Sequence, residues 1–191
     1  MKKMLLASIA ILLNALPAQA EEEKATTSEA PLASVGMDKT DGCMKGPMEQ
    51  FGRYLGDWDM KDWSLSQDGK TWTAGKGARW NFTCVGNGIA VQDFWMPNGS
   101  GQGTNLRMYN AKTQSWDIAW IVKTGGGMTH IGAKLDDAGN IVMRYVSPKP
   151  TPDRRITFFA PDDTGWNWHL EISSDGGKSW ILIYKMRASK Q

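Results

Sequence analysis

Residues 166–186 read WNWHLEISSDGGKSWILIYKM. Trp166, Trp168, Leu170 and Ile172 alternate with Asn167, His169, Glu171 and Ser173. That period of two belongs to a strand with one apolar and one polar face. Asp175-Gly176-Gly177-Lys178 supplies turn residues, and Trp180, Leu182, Tyr184 and Met186 then alternate again. The stretch reads as a β-hairpin whose two aromatic stripes must be buried against something.

The same pattern runs upstream. Trp116, Ile118, Trp120 and Val122 share one parity against Asp117 and Lys123, and Trp80, Phe82 and Cys84 share another stripe. Strands are predicted over 58–65, 71–85, 89–96, 104–110, 115–123, 128–135, 141–147 and 154–160, with the final hairpin pairing 165–173 with 179–188. Gly and Asn turns separate them, and no connection has room for a crossover helix. The single helix expected is 46–55, where Pro47 stands at a helix start and Met48, Phe51 and Leu55 follow at helical spacing. These elements specify an all-β chain, a single antiparallel up-and-down barrel of about 8–10 strands with a short N-terminal helix. Closure removes the two exposed edges that such a meander would leave. The converging stripes then line its interior, either as walls of a cavity or as a packed core.

In front of the barrel, Met1–Lys3 is basic, residues 4–13 are apolar, and Ala18-Gln19-Ala20 fits a signal-peptidase site. The apolar run is too short to span a bilayer, which takes about twenty residues. The expected organisation is a signal peptide over 1–20, a disordered acidic and Thr/Ser-rich leader over 21–45, and a barrel domain over 46–191. Cleavage after Ala20 implies a periplasmic or secreted protein. The 22 basic residues, less Lys2 and Lys3, then balance the 20 acidic ones. A neutral chain has no general attraction for nucleic acid or an anionic membrane. In an oxidising compartment Cys43 and Cys84, the sole pair, are expected to form a disulfide, with two buried thiols as the alternative.

Gly56-Asp57-Trp58 at the start of the first strand resembles the Gly-x-Trp signature of lipocalins and the wider calycin superfamily. Leu106-Arg107-x-Tyr109, Trp116-x3-Trp120 and the terminal Glu171-x-Ser173-x-Asp175-Gly176-Gly177-Lys178-Ser179-Trp180 extend the likeness to a group of secreted bacterial lipocalin-like domains. The resemblance implies a calycin barrel whose Trp58 closes one end beneath a basic residue of the last strand, Arg187 or Lys185. Ten strands resemble the fatty-acid-binding and nitrobindin-like arrangements more than the eight-stranded one. The likeness also implies ligands among lipids, pigments or haem, and, in a few members, isomerase or cyclase chemistry.

Ser173 to Trp180 also fits the Ser-x-Asp-x-Gly-x-Ser-Trp pattern of the Asp-box, with a shorter echo over Ser66 to Trp72. There the Asp caps a turn, so the role is structural, and the chain is too short for the blades of a propeller. Asp57, Asp59 and Asp62 lack the glycine and oxygen spacing of a calcium loop and read as a polar strand face. No nucleophile elbow, phosphate loop or His-Glu-x-x-His metal motif occurs.

The expected function is binding of a small apolar or aromatic molecule by Trp80, Phe82, Trp116, Trp120, Trp166, Trp168 and Tyr184. Arg107 and Arg144 are candidates to meet a polar head group. No catalytic residue, metal site or cofactor is assigned, and the oligomeric state is left open. The alternative is a calycin-type enzyme or haem barrel using His169 with Glu171, or His130. Facing decides between them: His169 and Glu171 lie opposite the tryptophan stripe, so inward tryptophans put both in solvent.

Overall fold

The computed structural model describes residues 39–190. The expected signal peptide over 1–20 and most of the expected leader over 21–45 lie outside the described residues. Eleven strands follow a short helical segment: β1 (Gly56–Leu65), β2 (Trp72–Ala74), β3 (Ala78–Val85), β4 (Ala90–Pro97), β5 (Gly103–Asn110) and β6 (Ser115–Val122). The chain continues through β7 (Met128–Leu135), β8 (Ile141–Ser147), β9 (Asp153–Phe158), β10 (Trp166–Ser173) and β11 (Ile181–Lys190). β1 pairs antiparallel with β3, each strand from β3 to β10 pairs antiparallel with the next, and β11 pairs back onto β1 with Trp58 opposite Lys190 and Met60 opposite Ala188. The result is a closed barrel of ten strands, with β2 added as a short flap on the end of β1.

The predicted strand over 71–85 is two strands. Gly75-Lys76-Gly77 breaks it because Asp62 accepts the Gly77 N–H at 2.8 Å and its carboxylate fills the space where a Cβ on residue 75 would stand. Gly77 has φ +76°, a conformation that suits glycine.

The helical segment plugs one end of the barrel. Gly46–Met48 forms a 3₁₀ turn that runs into α1 (Glu49–Gly52). Phe51 and Tyr54 are fully buried by it. Trp58 donates Nε1–H to the Tyr54 carbonyl at 2.7 Å, Trp116 donates to Gln50 Oε1 at 2.8 Å, and Tyr54 donates its hydroxyl to the Phe159 carbonyl at 2.9 Å. Edge-on ring contacts fill what remains: Phe51 with Trp116 at 4.8 Å, Tyr54 with Trp166 at 5.0 Å, and Trp58 with Trp166 at 5.8 Å. Such pairs each add about 0.5–1.5 kcal/mol beyond the area they bury.

Cys43 and Cys84 form a disulfide. It ties the 3₁₀ turn Asp41–Met44 to β3, so the folded domain takes in residues that the sequence reading assigned to the leader ending at 45. The basic residue over Trp58 is Lys190, 5.8 Å from its ring, and neither Arg187 nor Lys185. Arg187 instead bonds Asp162, and Lys185 lies over Trp72.

Burial pushes the Tyr54 hydroxyl up to about 12. An unfolded tyrosine ionises near 10, so above that value the unfolded chain releases a proton that the folded chain keeps. Stability is therefore expected to fall by up to about 1.4 kcal/mol per pH unit between pH ~10 and ~12 on account of this group. Urea midpoints measured across that window for the wild type and Tyr54→Phe check it. The variant should show the shallower slope, and parallel slopes would contradict the assignment.

Candidate functional site

Above the plug the barrel encloses a cavity of about 270 Å³. Period-two alternation aims its walls inward: Trp80 from β3, Trp95 from β4, Trp120 from β6, Tyr145 from β8, Trp168 from β10 and Tyr184 from β11. Ile131, Met143, Ile156 and Phe158 complete an apolar surface. Trp95, Trp120, Tyr145 and Tyr184 are only partly buried and stand towards the end opposite the plug, where the glycine-rich loops over 98–102 and 123–127 connect the strands. Trp120 lies across β5, where a Cβ on residue 103 would stand 2.3 Å from its ring; Gly103 makes that approach possible.

One charged pair sits in this wall. Arg107 and Asp93 both have zero exposure and are ion-paired through Nη2 and Oδ2. Asn105 donates its backbone N–H to Asp93 Oδ1 at 2.9 Å and its side-chain amide to both carboxylate oxygens at 3.0 and 3.1 Å. Asp93 is thus fully hydrogen-bonded, as a buried carboxylate must be. The Arg107 guanidinium is packed among rings, 4.8 Å from the centroid of Phe51, 5.2 Å from Phe82 and 5.8 Å from Phe158. Burial pulls its pKa down and Asp93 opposes that pull.

Of the nine residues singled out by sequence, Trp80, Arg107, Trp120, Trp168 and Tyr184 come together on the cavity wall. Phe82, Trp116 and Trp166 are buried in the plugged end and pack as core, with Phe158 stacked on Trp166 at 5.4 Å. Arg144 is placed away from this cavity. It lies on the outer face, its guanidinium 4.2 Å from the Trp180 ring, and meets nothing in the cavity.

Trp180 itself is off the interior, with Arg144 and Arg155 over its ring. The cause is a bulge: Leu170 faces Tyr184 while Glu171 faces Leu182, leaving Ile183 as an extra residue in β11. One extra residue turns everything before it to the opposite face. The turn between these strands is the expected Asp-capped one. Asp175 accepts the Lys178 and Ser179 N–H groups at 3.0 Å, and these bonds with the Ser179 hydroxyl hold its carboxyl well below the usual carboxylate range.

Both histidines face outward. His130 bonds Asp117 at 3.0 Å on the exposed surface, and His169 packs edge-on against Phe159 at 4.6 Å. Glu171 is held by a bidentate bond from Arg155, both contacts at 2.6 Å. Asp57 and Asp59 pair with Arg79, and Asp62 accepts the Tyr184 hydroxyl at 2.7 Å. Among the described residues no group of acidic, His and Cys side chains is arranged to hold a metal ion.

Sequence reasoning missed Asp93, Asn105, Trp95 and Tyr145. Parity carried the signal for all four, since Asp93 and Trp95 lie two apart on β4, Asn105 and Arg107 two apart on β5, and Tyr145 two beyond Met143.

Fold and site together define a closed ten-stranded antiparallel barrel with an aromatic cavity and a buried ion pair in its wall. No protein-family model matches the chain, and a search of curated proteins found no match.

Proposed function

We propose that the protein is a secreted calycin-like barrel that binds a small apolar or aromatic molecule in its interior. The observation that carries this reading is the 270 Å³ cavity walled by tryptophan, tyrosine and aliphatic side chains. Ligand pockets usually measure about 300–1,000 Å³, so the size suits a ligand of one or two fused rings or a short chain. It does not suit a porphyrin. The absence of either histidine from the wall favours binding over the haem, isomerase and cyclase alternatives. Ten strands in an antiparallel barrel entered through Gly56-Asp57-Trp58 support the calycin likeness. The apolar run before Ala20 and the Cys43–Cys84 disulfide support export. No helix among the described residues is long and apolar enough to cross a membrane.

Burial of a naphthalene-sized molecule at about 25 cal/mol per Å² is enough for micromolar affinity after ordering costs. Calorimetric titration with naphthalene tests the reading. Trp120→Ala is expected to weaken binding about tenfold with an unchanged circular dichroism spectrum, because Trp120 covers the ligand but is only partly buried in the core. Equal affinities in wild type and variant would count against binding at this site.

One observation favours a second reading, association through the barrel's outer face. Phe94, Met96, Leu106, Met108, Ile121 and Met128 are exposed on neighbouring strands β4 to β7. A grouped apolar surface of this kind marks interaction sites. Sedimentation velocity over a range of concentrations would show self-association if a second copy covers it, and a strictly monomeric protein would remove that case.

A further inference from the structure

We infer that the ligand is an uncharged molecule whose apolar body carries a hydrogen-bond acceptor, such as a ketone, quinone or ester carbonyl, directed at Arg107. This inference rests on the binding reading above and adds the polarity of the ligand. Trp80, Arg107 and Trp168 line the cavity, and Trp80 Nε1, Arg107 Nε and Nη1, and Trp168 Nε1 are buried without hydrogen-bond partners. The three side chains converge on Phe158, whose ring centroid is 5.5 Å from Trp80, 5.8 Å from Arg107 and 6.3 Å from Trp168. Every one of these partnerless atoms is a donor. Buried donors without partners are costly and uncommon in native proteins, and they mark a place where an acceptor fits.

Charge selects among acceptors. Asp93 already neutralises Arg107, and both are fully buried. A carboxylate ligand would add a buried negative charge, and among the described residues no second cation lines the cavity to balance it, which is strongly unfavourable. A carbonyl oxygen takes the same N–H groups and leaves the pair neutral. The phenol of Tyr184 donates to Asp62 and so does not compete for that acceptor.

The test compares three molecules of nearly one shape: 2-acetylnaphthalene, 2-ethylnaphthalene and 2-naphthoate, titrated calorimetrically into the wild-type protein at pH 7. The ketone is expected to bind about tenfold tighter than the hydrocarbon and tighter still than the carboxylate. A purely apolar cavity would instead prefer the ethyl compound, which is the less soluble in water. Ethyl binding as tightly as acetyl overturns the acceptor inference and leaves the binding reading standing. Naphthoate binding tightest overturns the uncharged class. No binding by any of the three removes the binding reading and this inference with it. Asp93→Asn supplies a second arm: with Arg107 no longer neutralised, preference should pass to 2-naphthoate in variant protein that retains the wild-type circular dichroism spectrum. An unchanged preference in that folded protein overturns the charge argument, and the wild-type comparison decides by itself if the variant does not fold.

Discussion

Arg107→Met is expected to lower folding stability by about 3–5 kcal/mol. The methionine fills much of the same space between Phe51, Phe82 and Phe158, so packing loss is small. The cost arises at Asp93. It has no exposure and would keep only the bonds from Asn105, leaving a carboxylate buried without its counter-charge. Combining Arg107→Met with Asp93→Asn removes that charge and should recover most of the loss, because an uncharged pair can be as stable as the ion pair it replaces. Urea denaturation of the wild type, both single variants and the double gives the coupling energy. A loss below about 1 kcal/mol in Arg107→Met would show that Asp93 is not buried as an ion.

Reduction of the Cys43–Cys84 disulfide, or its removal in a Cys43→Ser/Cys84→Ser variant, is expected to cost about 4 kcal/mol. The bridge closes a loop across a sequence separation of 41 residues, and the chain-entropy estimate for such a loop has this size. There is a local consequence as well. The turn Asp41–Met44 is held to the barrel by this bond and by the Gly42 N–H, which donates to Asn87 at 3.0 Å. It leads directly into the plug that carries Phe51, so loss of the bridge should raise hydrogen exchange in α1 before the strands. Denaturation curves with and without reductant measure the global term. Coincident curves would contradict it.

Much of the architecture is legible in alternation alone. Trp166-x-Trp168-x-Leu170 and Trp116-x-Ile118-x-Trp120 point inward as parity requires, and nine of the strands begin and end within a residue or two of their expected bounds. Parity fails where a strand gains a residue. The bulge at Ile183 leaves no mark in the sequence, yet it sends Trp180 and Leu182 outside. The base over Trp58 is a separate matter of strand length: β11 runs on to Lys190, and its register on β1 brings that residue opposite Trp58.

The site was less legible for a different reason. On β5 the apolar Leu106 and Met108 face outward while Asn105 and Arg107 face in, the inverse of ordinary patterning. That inversion makes sense only once Asp93 on the neighbouring strand is seen to supply the charge and accept the bonds. Arg144 is the opposite case. It alternates with Met143 and Tyr145, so strand periodicity alone places it outside, where it stacks on Trp180.

A barrel that binds as proposed holds a ligand in its interior when it is made. Native mass spectrometry of the protein purified from the organism that makes it tests this most directly. The expected result is a non-covalent adduct of a few hundred daltons that disappears on denaturation, with no Soret absorbance in the same sample. A bare chain mass under native conditions, in protein that also fails to bind naphthalene, would contradict it and leave the barrel as a packed core.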